Sequence, residues 1–86
     1  MPALSRFFGI VIMMYFNDHD PPHFHVRYGE HSAKIDIDTF EVSDGSLPRR
    51  VLGLTLEWAA LHRMELRENW AMARRGVELA QIAPLD

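Results

Sequence analysis

Cysteine is absent from this 86-residue chain. The absence excludes disulfides and thiolate metal sites, and it fits a protein of the reducing cytosol. The chain also lacks an apolar run of about 20 residues, the length that crosses a bilayer. Its apolar segment 7–16 has neither a basic stretch before it nor a small-residue cleavage site after it. We therefore expect a cytoplasmic protein without membrane contact.

An excess of positive charge is missing too. Nine Lys and Arg residues face twelve Asp and Glu residues, which gives a net charge of −3. This balance argues against broad, non-specific nucleic-acid binding, although it leaves room for a small basic patch. With 48% apolar residues, a chain of this length predicts a single domain, 1–86, around one core.

Histidine, in contrast, is concentrated in one stretch, residues 18–27, with the sequence DHDPPHFHVR. Three of the five histidines lie there, interleaved with two carboxylates and two prolines. Core formation does not require so many titratable groups, so we take this stretch as the candidate site. Pro21 and Pro22 restrict the backbone, which predicts a stiff loop with preset geometry.

Alternation of apolar and polar residues predicts a β-meander over residues 5–44. Residues 5–16 form the first strand, and its apolar residues on both faces suggest a covered, central strand. Residues 23–28 and 33–38 alternate cleanly and predict a hairpin with a loop at 29–32. Residues 39–43 can add a short fourth strand, and Asp44-Gly45 is a turn signal.

The two apolar faces of this hairpin restrict its register. A four-residue loop sets His25 opposite Asp36 and His23 opposite Asp38. A slip of two residues brings His25 to Asp38 and Arg27 to Asp36. Both registers bring imidazoles to carboxylates.

The pattern becomes helical over residues 46–76, with Ser46 as N-cap and Gly76 just after the end. One stripe is apolar and includes Trp58, His62 and Trp70, while charged residues occupy the opposite side. An unbroken helix over 47–75 would be about 43 Å long. It therefore either bends near His62–Met64 or packs on a second copy, and residues 77–86 form a tail. The predicted fold is α+β: a small antiparallel meander of three to four strands packed against a long C-terminal helix.

The histidine-rich stretch supports two kinds of chemistry. His23 and His25 lie on one strand face, so with Asp18, His19 or a later carboxylate they can bind Zn²⁺ or another divalent ion. Alternatively, no cofactor is required: His23 and His25 act as acid and base, Asp36 and Asp38 orient them, and Arg27 and Lys34 hold a phosphate or carboxylate. A purely structural face of hydrogen-bonded His–Asp pairs remains a third interpretation.

Two arginines supply a further candidate anion site. Arg49 and Arg50 fall in the first helical turn, where cations oppose the helix dipole. A locally unfavourable choice can indicate function, so the pair is a candidate for anion or RNA-backbone binding. The alternative is that both are solvated or pair with nearby carboxylates.

The run NDHDPPHFHV, residues 17–26, resembles the hallmark of a small uncharacterised bacterial family catalogued as domain of unknown function 4160. Further matches follow along nearly the whole chain at Ala33-Lys34-Ile35, Pro48-Arg49-Arg50, Glu57-Trp58, His62-Arg63, Glu65-Leu66 and Asn69-Trp70. The resemblance implies a cytoplasmic prokaryotic protein, often encoded beside another small protein in an arrangement that has suggested toxin–antitoxin pairs. It implies no reaction and no catalytic residues.

Three functional hypotheses follow. The first is a toxin-like component of a toxin–antitoxin module that acts on RNA through its His, Asp and Arg residues and has a small protein partner. The second is a small metal-binding protein. The third is a non-enzymatic interaction module that uses the helix or a sheet edge, and a homodimer through the long helix fits it.

Overall fold

Five antiparallel strands and two C-terminal helices make up the computed structural model, which describes residues 3–86. Each strand pairs with its neighbours in chain order. The elements are β1 (Ala3–Phe7), β2 (Ile10–Met13), β3 (His23–Tyr28), β4 (His31–Asp36), β5 (Val42–Ser46), α1 (Arg49–Leu61) and α2 (Arg63–Arg74). The α+β class and the antiparallel meander are confirmed, while the expected count of three to four strands is wrong.

The additional strand comes from the apolar segment 5–16, which was expected to form one strand. Phe8 and Gly9 take positive φ values of 51° and 79° and make a two-residue hairpin loop between β1 and β2. Two positive φ values match the twist of the flanking strands in such loops, and glycine favours one of them. Gly9 therefore marks a turn between two strands.

The hairpin between β3 and β4 has a different register from either predicted one. Its loop is Gly29-Glu30 alone, with Gly29 at φ 57°, so His23 lies opposite Asp36 and His25 lies opposite Lys34. The side chains keep the expected faces because the shift is an even number of residues. The cross-strand partners change, however, and His25 has a lysine instead of an aspartate opposite it.

Strand β5 runs through Asp44-Gly45, where a turn was expected. The register between β4 and β5 shifts at Lys34/Ile35, which marks an irregularity in the pairing. Gly45 has φ 75°, and a Cβ atom there would lie 2.1 Å from the Ser32 carbonyl oxygen. The absence of a side chain at Gly45 thus allows β4 and β5 to approach each other closely.

The single long helix of the predicted fold is two helices in the structure, because His62 interrupts it with φ −123°. The interruption falls within residues 62–64, where a bend was one of the two alternatives. The molecule measures 33 × 25 × 22 Å along its principal axes, so the broken helix can follow a core that a straight 43 Å helix would overshoot. Pro48, not Ser46, is the N-cap residue of α1. The expected homodimer through the helix stays a prediction.

The core lies between the helices and the sheet face that carries Ile12, Phe24, Val26 and Ile35, all fully buried. The predicted helical stripe is confirmed: its buried members are Val51, Thr55, Trp58, Ala59, Leu66, Trp70 and Ala73. The C-terminal segment 77–86 has no regular structure and packs its apolar side chains against this core. It is held by hydrogen bonds from Trp58 Nε1 to the Ala83 carbonyl and from the Ile82 amide to the Leu4 carbonyl.

Candidate functional site

A carboxylate from the loop between β2 and β3 meets two imidazoles from the start of β3. The Oδ2 atom of Asp18 lies 2.8 Å from His23 Nε2 and 3.2 Å from His25 Nε2. The other carboxylate oxygen, Oδ1, accepts the backbone N–H of His19 at 2.9 Å. One ligand atom from each of the three side chains lies within 4.8 Å of the others.

The loop that carries Asp18 is tied to two neighbouring elements. The Asn17 amide donates to the Ala73 carbonyl of α2, and Arg74 pairs with Asp20 at 3.0 Å. On the other side, the Ile37 amide donates to the Pro22 carbonyl at 3.0 Å. These bonds hold both ends of the proline-containing segment, which keeps Asp18 in front of β3.

His23 is the most buried member of the cluster. It is 4% exposed, and its ring packs against Trp70 of α2 with 5.1 Å between ring centroids. Its Nδ1 lies 2.8 Å from the Pro21 carbonyl oxygen. A carbonyl oxygen only accepts hydrogen bonds, so Nδ1 carries the hydrogen and Nε2 faces Asp18.

His25 is more open, with 25% of its side chain exposed. Its ring and the Tyr15 ring pack in a T-shaped arrangement with 4.3 Å between centroids, and the ring of His23 lies 5.1 Å away. Burial lowers the pKa of His25 below the ordinary 6.5, although its hydrogen bond with Asp18 acts in the opposite direction. The positive charge of Lys34 across the strand pair lowers this pKa further.

Asp18 is ionised across the physiological pH range. Burial acts to raise its pKa, but hydrogen bonding with His25, the His19 amide and His23 outweighs burial and lowers the pKa to about 2. An anionic oxygen therefore faces two imidazole nitrogens in a half-buried position. This is an arrangement that attracts a cation.

A groove adjoins the cluster on the outer face of the sheet. It has a volume of about 520 Å³, and its walls include Tyr15, His25, Arg27, Lys34 and His31. His25 belongs to both features, since its Nε2 faces Asp18 and its ring lines the groove. Tyr15 had no assigned role in the sequence, and its position at the end of the apolar run before the histidine stretch is the signal that could have indicated one.

The two later aspartates make other contacts. Asp36 Oδ1 accepts the backbone N–H groups of Asp38 and Thr39 at 2.7 and 2.9 Å, and Asp38 pairs with Arg67 of α2. The expectation that Asp36 and Asp38 orient the histidines rested on a register that is wrong. Asp18, proposed as a metal ligand, is the carboxylate that contacts both rings.

The other residues that were candidates from the sequence lie outside the cluster, in different parts of the molecule. His19 is exposed and is not part of the three-residue cluster. His62 also lies outside it, because its Nδ1 bonds to Glu65 and its ring packs on Trp58. Arg49 and Arg50 begin α1, and Arg50 lines a second, smaller cavity instead of the groove that holds Arg27 and Lys34.

The fold and the cluster together define a small α+β domain with two histidines and an aspartate grouped at one end of its sheet. The chain belongs to the family described as Domain of unknown function (DUF4160), whose model matches residues 9–71. The matched span contains the whole cluster and both basic residues of the groove. No curated protein and no solved structure shows a significant similarity to the chain.

Neither helix within residues 3–86 is long and apolar enough to cross a membrane.

Proposed function

We propose that this protein binds a divalent transition-metal ion through Asp18, His23 and His25. The supporting observation is the convergence of one carboxylate oxygen and two imidazole Nε2 atoms, at 2.8 and 3.2 Å. Each of the three side chains offers one ligand atom, and these atoms all lie within 4.8 Å of one another.

The position of the hydrogen on the His23 ring supports a cation between His23 Nε2 and Asp18 Oδ2. Its Nδ1 hydrogen is donated to the Pro21 carbonyl, so the neutral ring presents a lone pair at Nε2. That lone pair faces the ionised carboxylate of Asp18 at 2.8 Å. Two acceptors at this distance need a proton or a metal ion between them. A metal ion satisfies both without requiring a positively charged imidazole.

The distances also suit a metal. Ligand atoms around a tetrahedral Zn²⁺ are about 3.3 Å apart, given bonds of about 2.0–2.1 Å. The observed 2.8 and 3.2 Å are close to this value, and the two histidine nitrogens lie within 4.8 Å of each other, so side-chain movements would complete the geometry. The bond from His23 Nδ1 to a backbone carbonyl is the outer contact that orients metal-binding histidines.

The donor set narrows the class of metal. Two imidazoles and a carboxylate suit Zn²⁺, Fe²⁺ or Mn²⁺. With three protein ligands, and with Asp18 and His25 each about a quarter exposed, a fourth position remains open to solvent or to a ligand. Such open positions are typical of sites that bind or activate a further molecule.

Metal analysis of protein purified without a histidine tag tests the proposal. We expect one metal equivalent per chain, and Co²⁺ substitution should give the visible absorption of a tetrahedral site. His25→Ala and Asp18→Asn should each weaken binding by at least about tenfold, because each removes a ligand. His23 is less suitable for this test, since it is buried against Trp70 and its loss can also affect folding.

His19→Ala is the matched control, because His19 is an exposed histidine next to Asp18 but outside the cluster. It should bind metal as the wild type does. Equal loss in His19→Ala and His25→Ala, or a wild type that binds no metal at micromolar concentrations, would show that the cluster is not a metal site.

A second candidate function uses the same residues without a metal. Asp18 holds both imidazoles, and His25 lines a groove with Arg27 and Lys34, as an acid–base site acting on RNA would require. The toxin-like role with a small protein partner belongs to this candidate. Its test is growth arrest on induction: arrest that is lost in His25→Ala while the variant stays folded and metal-free supports it, and unchanged arrest removes the catalytic role.

A further inference from the structure

Two basic side chains in the groove beside the cluster have no acidic partner. Arg27 and Lys34 form no salt bridge within 4.0 Å to any residue of the described chain, 3–86, although Arg67 and Arg74 on α2 both do. Both line the groove on the outer face of the sheet. Their positive charges are therefore available to a ligand.

The strand register brings these two cations close to each other. Arg27 lies opposite Ser32, and Lys34 lies opposite His25, so Arg27 and Lys34 are diagonal neighbours on β3 and β4. Diagonal neighbours are about 7–8 Å apart at their Cα atoms, a separation that long side chains easily bridge. A phosphate group with several acceptor oxygens can bind both at once.

The rest of the groove favours a small ligand over a polymer. Its volume of about 520 Å³ is within the range of small-molecule sites, and Met13 and Tyr15 supply an apolar wall. Two carboxylates, Glu30 and Asp44, also line it, and the chain has a net charge of −3. These negative charges oppose a long polyanion more than a single phosphate group.

We infer that the groove binds a small organic phosphate, a phosphate monoester whose phosphate group contacts Arg27 and Lys34 and whose organic part lies against Met13 and Tyr15. The inference builds on the proposed metal site, since His25 belongs to both the cluster and the groove. A monoester bound there lies on the same face of the sheet as His25, which the cluster and the groove share.

Calorimetric titration at constant ionic strength tests this inference, with inorganic phosphate and phenyl phosphate as probes. The protein is loaded with one equivalent of metal and freed of excess. We expect both probes to bind and phenyl phosphate to bind more tightly, because its ring adds apolar contact. Arg27→Gln and Lys34→Gln should each weaken binding by about tenfold, the loss of one charge-assisted contact.

Arg75→Gln is the matched control, because it removes the same charge from an exposed position at the end of α2, outside the groove. It should bind both probes as the wild type does. Equal weakening in Arg75→Gln and Arg27→Gln would overturn the inference, because it would indicate a general charge effect. Tighter binding of a short RNA lacking terminal phosphates than of phenyl phosphate would also overturn it.

Metal content measured on the same samples separates this inference from the proposed function. Arg27→Gln and Lys34→Gln should retain the metal, because neither residue belongs to the cluster. A wild type that holds metal but binds neither probe overturns the phosphate site alone. If the wild type holds no metal, the proposed function fails. The comparison of Arg27→Gln with wild type in the metal-free protein then still tests whether the groove binds a phosphate group.

Discussion

The Nε2 atom of His23 and the Oδ2 atom of Asp18 lie 2.8 Å apart, while Nδ1 of the same ring is committed to the Pro21 carbonyl. The ring therefore cannot present an N–H to both oxygens and remain neutral. A proton or a metal ion has to occupy the position between His23 and Asp18. This requirement distinguishes the pair from an ordinary neutral hydrogen bond.

Asp18→Asn should leave a folded protein that binds metal at least about tenfold more weakly than the wild type. The amide nitrogen of asparagine can donate to the lone pair of a neutral His23, so the contact is satisfied without a cation. With a chelator present at neutral pH, we expect a free energy of unfolding within about 1 kcal/mol of wild type. Chemical denaturation combined with metal analysis measures both properties.

Asp20→Asn is the control for this substitution. Asp20 lies in the same loop, but it is exposed and pairs with Arg74 at 3.0 Å. Its loss should cost less than about 1 kcal/mol and leave metal binding intact. A loss of more than about 2 kcal/mol in Asp18→Asn would mean that the carboxylate itself, rather than a cation, stabilises the loop.

The periodicity of apolar residues predicted which face of each helix and strand is buried better than it predicted which residues lie opposite each other in the sheet. Trp58 and Leu66 are buried and Glu57 and Arg67 are exposed, as the helical pattern indicated. Strand alternation likewise assigned Arg27 to the outer face. These predictions succeed because burial of apolar surface depends on a period that the sequence displays directly.

Contacts that depend on loop length could not be predicted in the same way. A two-residue and a four-residue hairpin loop keep the same faces, yet only the first brings His25 opposite Lys34. Asp18 reaches both histidines because its loop folds back on β3, and no periodic pattern describes that return. The cluster was therefore predicted by composition, while its carboxylate was one of several options.

Asp36→Asn should reduce stability at neutral pH and flatten its decline in acid. The Asp36 carboxylate accepts the Thr39 and Asp38 backbone amides, and the Thr39 bond is the main cause that lowers the pKa of Asp36 below the ordinary 3.8. A lowered folded-state pKa contributes stability that is present above the unfolded-state value and is lost as the pH falls below it. Denaturation curves from pH 7 down to the lowest pH at which the protein folds measure the effect, which should be about 1 kcal/mol at neutral pH.

The control for Asp36 is Asp38→Asn. The Asp38 side chain is about half exposed and pairs with the exposed Arg67, so the substitution should cost less than about 1 kcal/mol. If the free energy of unfolding fell with pH in the same way in Asp36→Asn and Asp38→Asn, the turn hydrogen bonds of Asp36 would stabilise the fold no more than the surface ion pair of Asp38 does.

Two glycine substitutions should change stability in opposite directions. Gly45→Ala places a Cβ atom 2.1 Å from the Ser32 carbonyl at a φ of 75°, so it should cost at least about 2 kcal/mol. Gly53 is an exposed residue of α1, and no atom lies within 4 Å of the Cβ that alanine would add. Gly53→Ala should therefore raise the free energy of unfolding by about 0.5–1 kcal/mol. Thermal and chemical unfolding report both. A neutral Gly45→Ala would mean that β5 moves away from β4 at little cost.

Asn69→Asp should release the C-terminal segment from the helices. Asn69 is 1% exposed; its Nδ2 donates to the Ala80 carbonyl at 2.9 Å, and its Oδ1 accepts the Ala80 amide at 2.7 Å. Aspartate keeps the shape but cannot donate, so it sets a buried negative oxygen against a carbonyl oxygen. We expect a loss of about 1–3 kcal/mol and faster proteolysis within residues 77–86. Glu68→Gln, at an exposed neighbouring position in α2, is the control and should change neither stability nor proteolysis. Equal protease resistance of Asn69→Asp and wild type would contradict the prediction. It would show that Ile82 and the Trp58–Ala83 hydrogen bond hold the segment without Asn69.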